Sequence, residues 1–467
     1  MGNGYLQNGM KDKITYFDVF FRRVPDGGGF AIAAGLQQVV EYIENLRFTQ
    51  EDIEFLRSKK IFSEEFLDYL KTFKFTGDVW AVPEGTPVFP GEPILTVRAK
   101  APEAQLIETY ILLCINHQSL IATKSNRIVR ASEGRAVSEF GSRRAQGADG
   151  AILGARAAYI AGAAGTACAI ADRMYGVPAG GTMAHSWVQM FDTEYEAFLT
   201  YCRTYKNAAT LLVDTYNVLK SGVPNAIKVF DEVYGKDNKN VSLAIRLDSG
   251  DIAYLSRKAR KMLDDAGYGH CKIVASNSLD EYIIKDLIRQ GAKIDSFGVG
   301  ERLITSKSEP VFGGVYKLVA IEDECGTIIP KIKISENPEK ITNPHFKTLY
   351  RLYDRETGKA EADLLCVYDE EIDDSKPIEI FDPHYTWKRK TITNFRAVKL
   401  QKHIFKNGEL VYDLPGIEEI RKNCLDGVDT LWDEVKRFEN PHTYYVDLSQ
   451  KLWDIKHNLL AEKENLK

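Results

Sequence analysis

The 467-residue sequence has few cysteines and arranges none of them in pairs. There are seven, an odd number, and no Cys-x-x-Cys motif occurs, which argues against a disulfide framework and against a zinc ribbon. We therefore expect reduced thiols, most of them buried, at Cys114, Cys168, Cys202, Cys271, Cys325, Cys366 and Cys424.

Long apolar runs and an excess of positive charge are also missing. No stretch approaches the roughly 20 apolar residues of a membrane span, and residues 1–13 lack the apolar core of a signal peptide. We expect a cytoplasmic protein without membrane contact. The 61 Lys and Arg against 66 Asp and Glu give a net charge of −5, which argues against nucleic-acid binding because such surfaces make a domain basic.

Strands alternate with helices between residues 102 and about 305, a pattern that predicts a parallel sheet with right-handed crossovers. No dinucleotide fingerprint opens this region, so a closed or nearly closed α/β barrel is favoured over an open sheet. An alanine-rich helix is expected at 157–175. The predicted strands are 136–140, 180–183, 210–214, 242–248, 272–276 and 296–298.

The flanking regions have a different pattern. Residues 1–101 predict an α+β domain with strand 14–21, helix 35–48 and later β segments. The Arg22-Arg23 pair at the end of the first strand is either a solvated strand end or a phosphate contact, at even odds. Residues 346–467 are interpreted as strands that return to the N-terminal domain, with peripheral helices. The barrel region is then 102–345.

Polar residues stand at the carboxyl ends of the predicted barrel strands, where barrel enzymes place their active sites. Helix capping accounts for Asp280 and Ser249. Capping does not account for arginines, since positive charge is unfavourable at a helix N-terminus. The strand-end residues are Arg143, His185, Asp214, Arg246, Asp248, Ser276, Asn277 and Gly300.

The chemistry of these residues indicates an anionic substrate. Arg246 and the Arg143-Arg144 pair have planar forks suited to a carboxylate or a phosphate, and Asp248 with Asp251 is a candidate Mg²⁺ ligand set. Glycine pairs near the last strand, with nearby lysines, are typical of phosphate-binding loops; these residues are Gly298, Gly300, Gly313, Gly314, Lys317, Lys331 and Lys333. The residues alone thus predict an enzyme for a phosphorylated, Mg²⁺-bound substrate.

Five motifs resemble those of the nicotinate phosphoribosyltransferase family, in the family's order. They are Phe20-Phe21-Arg22-Arg23, Arg143-Arg144-Ala145-Gln146-Gly147, Gly181-Thr182-Met183-Ala184-His185-Ser186, Arg246-Leu247-Asp248-Ser249-Gly250-Asp251 and Gly313-Gly314-Val315-Tyr316-Lys317-Leu318. The resemblance implies an ATP-coupled reaction of nicotinate with phosphoribosyl pyrophosphate that gives nicotinate mononucleotide and pyrophosphate in NAD salvage. It also implies an α/β fold with an incomplete α/β barrel beside an α+β domain, and a homodimer with active sites at the subunit interface.

The resemblance further assigns roles to single residues. It implies that ATP phosphorylates His185, that Arg246 pairs with the nicotinate carboxylate and that Thr182 lies beside the ring. Asp248 is assigned to Mg²⁺ or to ribose hydroxyls. Glu301 departs from relatives with a small hydroxyl residue there, so its backbone amide is the expected contact. The remaining residues assigned to the substrates are Arg143, Arg144, Ser276, Asn277, Gly300, Gly313 and Gly314.

Three other functions compete with this interpretation. The nicotinamide-specific sister enzyme needs an acidic group where this sequence has Gly165, Thr166 and Ala167, expected in a helix. A quinolinate-using relative is shorter and decarboxylates without ATP. A non-catalytic nucleotide sensor on the same barrel is the third.

The family's leading segment, with a Thr-Asp and a Tyr-Gln pair, is not found before Tyr5, so we expect a truncated or wrongly assigned start and weaker nicotinate binding.

Overall fold

The chain divides into two units, each with its own sheets. The structure, a computed structural model, describes residues 1–236, 238 and 240–464. Unit 1 comprises residues 1–120 and the chain from 311 onward, and unit 2 comprises residues 121–310. The division at 101 and 345 made from the sequence stays a prediction. In the described part, no helix is long and apolar enough to cross a membrane.

The first segment of the chain alternates short strands with capped helices. Thr49 and Asp52 form a reciprocal capping box at the start of one helix, and the Ser63 hydroxyl caps the next. The elements are α1 (Gly2–Gln7), β1 (Ile14–Phe20), β2 (Ala31–Ile32), α2 (Leu36–Asn45), α3 (Gln50–Ser58), α4 (Glu64–Lys71), β3 (Asp78–Ala81), β4 (Pro87–Val88), β5 (Leu95–Lys100) and α5 (Ala101–Ala131).

Unit 2 repeats a strand followed by a helix. Its elements are β6 (Ala136–Glu139), α6 (Ala148–Ile160), β7 (Gly165–Thr166), α7 (Ala169–Tyr175), α8 (His185–Gln189), α9 (Glu194–Thr204), β8 (Ala208–Leu212), α10 (Val223–Val233), β9 (Ser242–Leu247), α11 (Ile252–Asp265), β10 (Lys272–Ala275), α12 (Glu281–Arg289), β11 (Ser296–Val299) and α13 (Glu301–Ile304). A 3-10 turn at Ser142–Arg144 and a π-helical turn at Val218–Gly222 complete the unit.

The six strands of unit 2 form one parallel sheet in the order β7-β6-β11-β10-β9-β8. β7 and β8 stand at the two edges of this sheet, so the sheet does not close into a full barrel. The predicted incomplete barrel is confirmed. Five of the six predicted strands are present. Ile245 and Leu247 on β9 are fully buried in an apolar core, while Arg246 and Asp248 fall on the opposite side of the alternating strand pattern.

Two predictions for unit 2 are wrong. The alanine-rich helix expected at 157–175 is interrupted, because α6 ends at Ile160 and α7 begins only at Ala169, and the expected strand 180–183 is a loop. Gly162, with a φ of 112°, turns the backbone out of the helix. Gly165 and Thr166 then form the edge strand, so the small residues 165–167 do not lie in a helix. A side chain at Gly165 would stand 2.5 Å from the Pro178 carbonyl oxygen, which explains the glycine.

The later strands of unit 1 join the N-terminal ones in shared sheets. The elements are β12 (Val315–Glu322), β13 (Ile328–Pro330), β14 (Lys347–Asp354), β15 (Ala360–Val367), β16 (Ile378–Phe381), β17 (Arg389–Ile392), β18 (Phe395–Lys399), β19 (Lys402–Lys406), β20 (Glu409–Leu410), α14 (Ile417–Asp429), β21 (Val446–Leu448) and α15 (Gln450–Glu464), with a 3-10 turn at Pro338–Lys340. Strands of both ends of the chain form a sheet in the order β13-β12-β1-β5-β3-β19-β20. The α+β domain with returning C-terminal segments is confirmed.

A buried ion pair joins the two larger sheets of unit 1. The second sheet has the order β18-β14-β15-β21. Lys347 on β14 places its Nζ 2.8 Å from Asp18 Oδ2 on β1, with both side chains almost fully buried.

At the end of β1, Arg22 donates from Nε to the Glu339 carbonyl oxygen at 3.1 Å. The phosphate contact that the sequence offered as one interpretation of Arg22 and Arg23 stays a prediction.

The seven cysteines are free, as expected, and all but Cys325 are buried. Burial raises the pKa of the Cys114 and Cys271 thiols to about 12. These thiols are therefore protonated at neutral pH and pack as small apolar side chains.

We predict that Gly222→Ala destabilises unit 2 strongly. An added methyl group would lie 1.9 Å from the Val213 carbonyl oxygen at the end of β8. Overpacking of this kind costs about 1–3 kcal/mol. Urea unfolding of Gly269→Ala, whose new methyl group would find its nearest neighbour at 3.7 Å, is the matched control. Equal unfolding midpoints for the two variants would contradict this close approach.

Candidate active site

The carboxyl edge of the unit 2 sheet gathers polar side chains from distant parts of the sequence. Arg246 is at the centre of this group. It donates from Nε to Ser276 Oγ at 2.9 Å, from Nη1 to Thr182 Oγ1 at 2.7 Å and from Nη2 to Asp248 Oδ1 at 2.9 Å. The three acceptors fix the plane of the guanidinium group. The Arg246 side chain is also largely buried, with 15% of it exposed.

Asp248 is the carboxylate that balances Arg246. The Ser276 hydroxyl also donates to its Oδ1. Burial acts to raise the pKa of Asp248, but the Ser276 hydrogen bond and the Arg246 charge outweigh it and hold the pKa below its usual value. Asp214, after β8, fixes the turn that carries Asp248: its Oδ2 accepts from the Asp248 amide at 2.9 Å and from the Ser249 hydroxyl at 2.6 Å.

His185 begins α8 and does not stand on a strand. Its Nδ1 lies 3.1 Å from Thr215 Oγ1, and its Nε2 lies 3.7 Å from Asp248 Oδ2. Because Thr215 engages Nδ1, the ring presents Nε2 to the Asp248 carboxylate. The imidazole is 40% exposed, which leaves it accessible to a ligand.

A cavity of about 350 Å³ opens between these residues. Its lining combines aromatic, small and charged side chains: Phe140, Ser142, Arg143, Ala167, Gly181, Thr182, Met183, Ala184, His185, Leu212, Arg246 and Asp248. A side chain at Gly298 would lie 2.5 Å from a ring carbon of Phe140, so this glycine lets the ring lie against β11. The cavity thus has an aromatic ring and a guanidinium in its lining.

An adjoining cavity of about 140 Å³ shares Phe140, Arg143, Arg246 and Asp248 with the first. Its other lining residues are Arg144, Ser276, Asn277, Ser278, Gly298, Gly300 and Glu301. Arg143 and Arg144 are exposed here. Positive φ angles at Asn277 (89°) and Ser278 (49°) store backbone strain in this loop, and such strain clusters at ligand sites.

The structure places most of the predicted site residues in one or both cavities. Glu301 lies at the second cavity, where Lys307 contributes most to a lowered pKa of its carboxyl; Arg144 Nε is 4.0 Å from the carboxylate. Gly313 and Gly314 instead belong to unit 1. The Gly314 amide donates to Asn116 Oδ1 at 2.7 Å, and the phosphate role of both glycines stays a prediction.

Sequence reasoning missed Phe140, Ser142 and Thr215 as site residues. Phe140 follows strand β6 directly, and position after a parallel strand was the available signal. Ala167, which the sequence placed in a helix, lines the larger cavity directly after strand β7. Thr215 carries no charge, so its contact with His185 is visible only in three dimensions.

The acidic residues near the site offer few ligands for a Mg²⁺ ion. Among the described residues no group of three His, Cys, Asp or Glu side chains is placed to hold a metal. Asp251 Oδ1 caps α11 through the Tyr254 amide, and the role of Asp251 as a Mg²⁺ ligand stays a prediction. Asp280 caps α12 as expected, whereas Ser249 bonds Asp214 and caps nothing. One oxygen, Asp248 Oδ2, fits an ion that arrives mainly coordinated by substrate phosphates.

Models of one protein family match most of the chain. The nicotinate phosphoribosyltransferase family model matches residues 135–374, its N-terminal domain model residues 1–116 and its C-terminal domain model residues 346–456. A nicotinate phosphoribosyltransferase of Bacillus subtilis is 44% identical over 462 residues, which cover 99% of this chain and 93% of that protein. The chain belongs to the nicotinate phosphoribosyltransferase family. The family makes nicotinate mononucleotide in NAD salvage.

Human relatives agree in sequence and in fold. The human nicotinate phosphoribosyltransferase is 29% identical over 99% of this chain and 95% of its own length. A crystal structure of human nicotinic acid phosphoribosyltransferase superposes with a TM-score of 0.86 at 27% identity, covering 98% of both chains. A nicotinate-nucleotide pyrophosphorylase from Pyrococcus furiosus shares the fold, with a TM-score of 0.69 at 24% identity over 92% of both chains.

We predict that the stability contribution of Asp248 disappears in acid. Its pKa is lowered in the folded state, so the ionised carboxylate stabilises the fold above the usual pKa of 3.8, and this contribution is lost as the pH falls through the lowered value. The difference in unfolding free energy between wild type and Asp248→Asn should be constant from about pH 8 to pH 5 and shrink below about pH 4.

Urea unfolding at a series of pH values measures this difference. Asp265→Asn, at an exposed aspartate of α11, is the control and should change stability little at any pH. An Asp248→Asn difference that is the same at about pH 3 as at pH 7 would contradict the prediction.

Proposed function

We propose that the two cavities of unit 2 bind nicotinate and phosphoribosyl pyrophosphate and form nicotinate mononucleotide and pyrophosphate in a reaction coupled to ATP. The observation that supports this best is Arg246. Its guanidinium is held by Asp248, Ser276 and Thr182 in the cavity that also contains Phe140 and His185.

Arg246 is suited to the nicotinate carboxylate. A guanidinium has five N–H donors, and Ser276, Thr182 and Asp248 take one each, which leaves one on each terminal nitrogen in the described contacts. Two such donors match the two oxygens of a carboxylate. The Phe140 ring supplies an apolar face for the pyridine ring, and Thr182 lies beside it.

The lining of the larger cavity favours the acid over the amide substrate. Its single carboxylate, Asp248, is already paired with Arg246, and Ala167 stands where a nicotinamide-specific site would need an acceptor. A neutral amide would carry no charge to attract the two remaining donors of the positive Arg246. This favours nicotinate by the free energy of a charge-assisted hydrogen bond.

The smaller cavity is suited to the phosphoribosyl group. Arg143, Arg144, Ser276, Asn277, Gly300 and the Glu301 amide are the proposed contacts. Asp248 Oδ2 would hold a Mg²⁺ ion that arrives with the pyrophosphate and supplies positive charge to the leaving group. As the ribosyl carbon loses pyrophosphate and becomes oxocarbenium-like, the exposed arginines stabilise the departing charge, and Phe140 with Arg246 holds the pyridine nitrogen in line for attack.

His185 is the proposed acceptor of the ATP γ-phosphoryl group. Thr215 occupies Nδ1, so Nε2 forms the new N–P bond while the bond to the ADP oxygen breaks.

We further propose that the protein acts as a cytoplasmic homodimer. Gly313 and Gly314 are further proposed contacts of the 5′-phosphate, as the family resemblance implies. Scattering-based molar mass in solution tests the dimer.

We predict that ATP places an acid-labile phosphate on His185. Incubation with ATP labelled in its γ-phosphate should label the wild type and His384→Ala, a control at an exposed histidine of unit 1. His185→Ala should stay unlabelled because no other imidazole lines the described cavities of unit 2. Equal labelling of His185→Ala would refute the assignment.

We predict that Arg246→Ala raises the KM for nicotinate far more than the KM for phosphoribosyl pyrophosphate. A hydrogen bond between charged groups is worth about 1.5–3 kcal/mol, or roughly ten- to a hundredfold in affinity. Steady-state kinetics with each substrate varied in turn measures both constants.

Arg257→Ala is the control for this experiment. Arg257 is an exposed arginine of α11 that donates to the Gln290 carbonyl and lines neither cavity. Both KM values should be unchanged in this variant. If Arg246→Ala weakens only phosphoribosyl pyrophosphate, the carboxylate must be reassigned to Arg143 or Arg144.

A further inference from the structure

The loop that carries Thr182 and His185 is connected to the unit 2 sheet through a strand of only two residues. β7, Gly165–Thr166, pairs with β6 on one side. On its other side the Thr166 amide donates to the Pro178 carbonyl at 2.9 Å, and the Gly180 amide donates to the Thr166 carbonyl at 2.9 Å. So short an edge strand has little ladder of its own to hold it in register.

A buried carboxylate reinforces this connection. Glu139, the last residue of β6, is fully buried, and its Oε2 accepts from the Thr166 hydroxyl at 2.7 Å. Its Oε1 accepts from the Gly141 amide. Thr166 Oγ1 in turn accepts from the Cys168 amide at 3.0 Å. Glu139 therefore binds the turn after β6 directly and is connected to the turn after β7 through the Thr166 hydroxyl.

Both turns contribute residues to the lining of the larger cavity. The turn after β6 carries Phe140, Ser142 and Arg143, and the turn after β7 carries Ala167. The Ala167 amide adds a hydrogen bond of 2.9 Å to the Glu139 carbonyl. The Glu139 carboxylate receives one donor from the turn after β6 and one from the last residue of β7, so it holds these two segments together, and burial makes the loss of either donor costly.

We propose that Glu139 and Thr166 form a clamp that positions the walls of the nicotinate cavity, so that their hydrogen bond determines how tightly the pyridine ring is held. Neither residue lines the cavity, so both are positioning residues. The proposal rests on the proposed function of this cavity and adds a determinant of its substrate affinity.

Thr166→Val tests the clamp because it keeps the shape of the side chain and removes only the hydroxyl. The KM for nicotinate should rise about tenfold, the effect of one hydrogen bond to a charged group, with a smaller rise for phosphoribosyl pyrophosphate. Thr166→Ser restores the hydroxyl and should return the KM to within about twofold of wild type.

Glu139→Gln is the second variant, in case Thr166→Val folds poorly. An amide keeps the size of Glu139 but turns a donor toward either Thr166 or Gly141. Its KM for nicotinate should rise by a similar factor, and the double variant should show no more than the larger single effect. Ser256→Ala, which removes a fully buried hydroxyl of α11 outside both cavities, is the control and should lower only the melting temperature.

The kinetic readout separates positioning from stability, because partial unfolding lowers the apparent kcat and leaves the KM of the folded fraction unchanged. A lower melting temperature with an unchanged KM in Thr166→Val and Glu139→Gln would overturn the clamp. Additive effects of the two substitutions would overturn it as well. A wild type that forms no nicotinate mononucleotide would instead refute the proposed function, so the two failures are distinguishable.

Discussion

The ion pair between Arg246 and Asp248 is the interaction on which the rest of the site depends. Both side chains are largely buried at the carboxyl edge of the sheet, where an unpaired charge would lower the stability of the fold. The pair satisfies one donor of Arg246 and one oxygen of Asp248, and Ser276 bonds both partners. The guanidinium is thereby fixed before any substrate arrives, which reduces the ordering entropy of binding.

The parallel sheet explains how residues so far apart in sequence share one site. Every strand of unit 2 runs in the same direction, so the turns after β6, β7, β8, β9, β10 and β11 all lie at one edge. Glycines allow these turns to approach closely. A side chain at Gly141 would stand 2.6 Å from Ile304 Cβ, and one at Gly298 would stand 2.5 Å from the Phe140 ring.

Unit 1 uses a different principle, in which strands from both ends of the chain are interleaved. β1 pairs with β5 on one side and with β12 on the other, about 300 residues further along. Such long-range antiparallel pairing closes a large loop of chain, and the buried Lys347–Asp18 pair joins the two sheets. The C-terminal segments therefore complete the sheets of the N-terminal region.

Local patterns in the sequence were sufficient to predict the alternation of strands and helices, the residues after β6, β9, β10 and β11, the free cysteines and the family motifs. Periodicity and residue type carry that information because they act over a few neighbouring residues. The edge strand Gly165–Thr166 was not predictable, since its alanine-rich surroundings favour a helix and only the pairing with β6 and the contact with Pro178 make it a strand. The contact of Thr215 with His185 and the position of Phe140 against Gly298 likewise required the tertiary structure, because nothing in the spacing of these residues indicates that they meet.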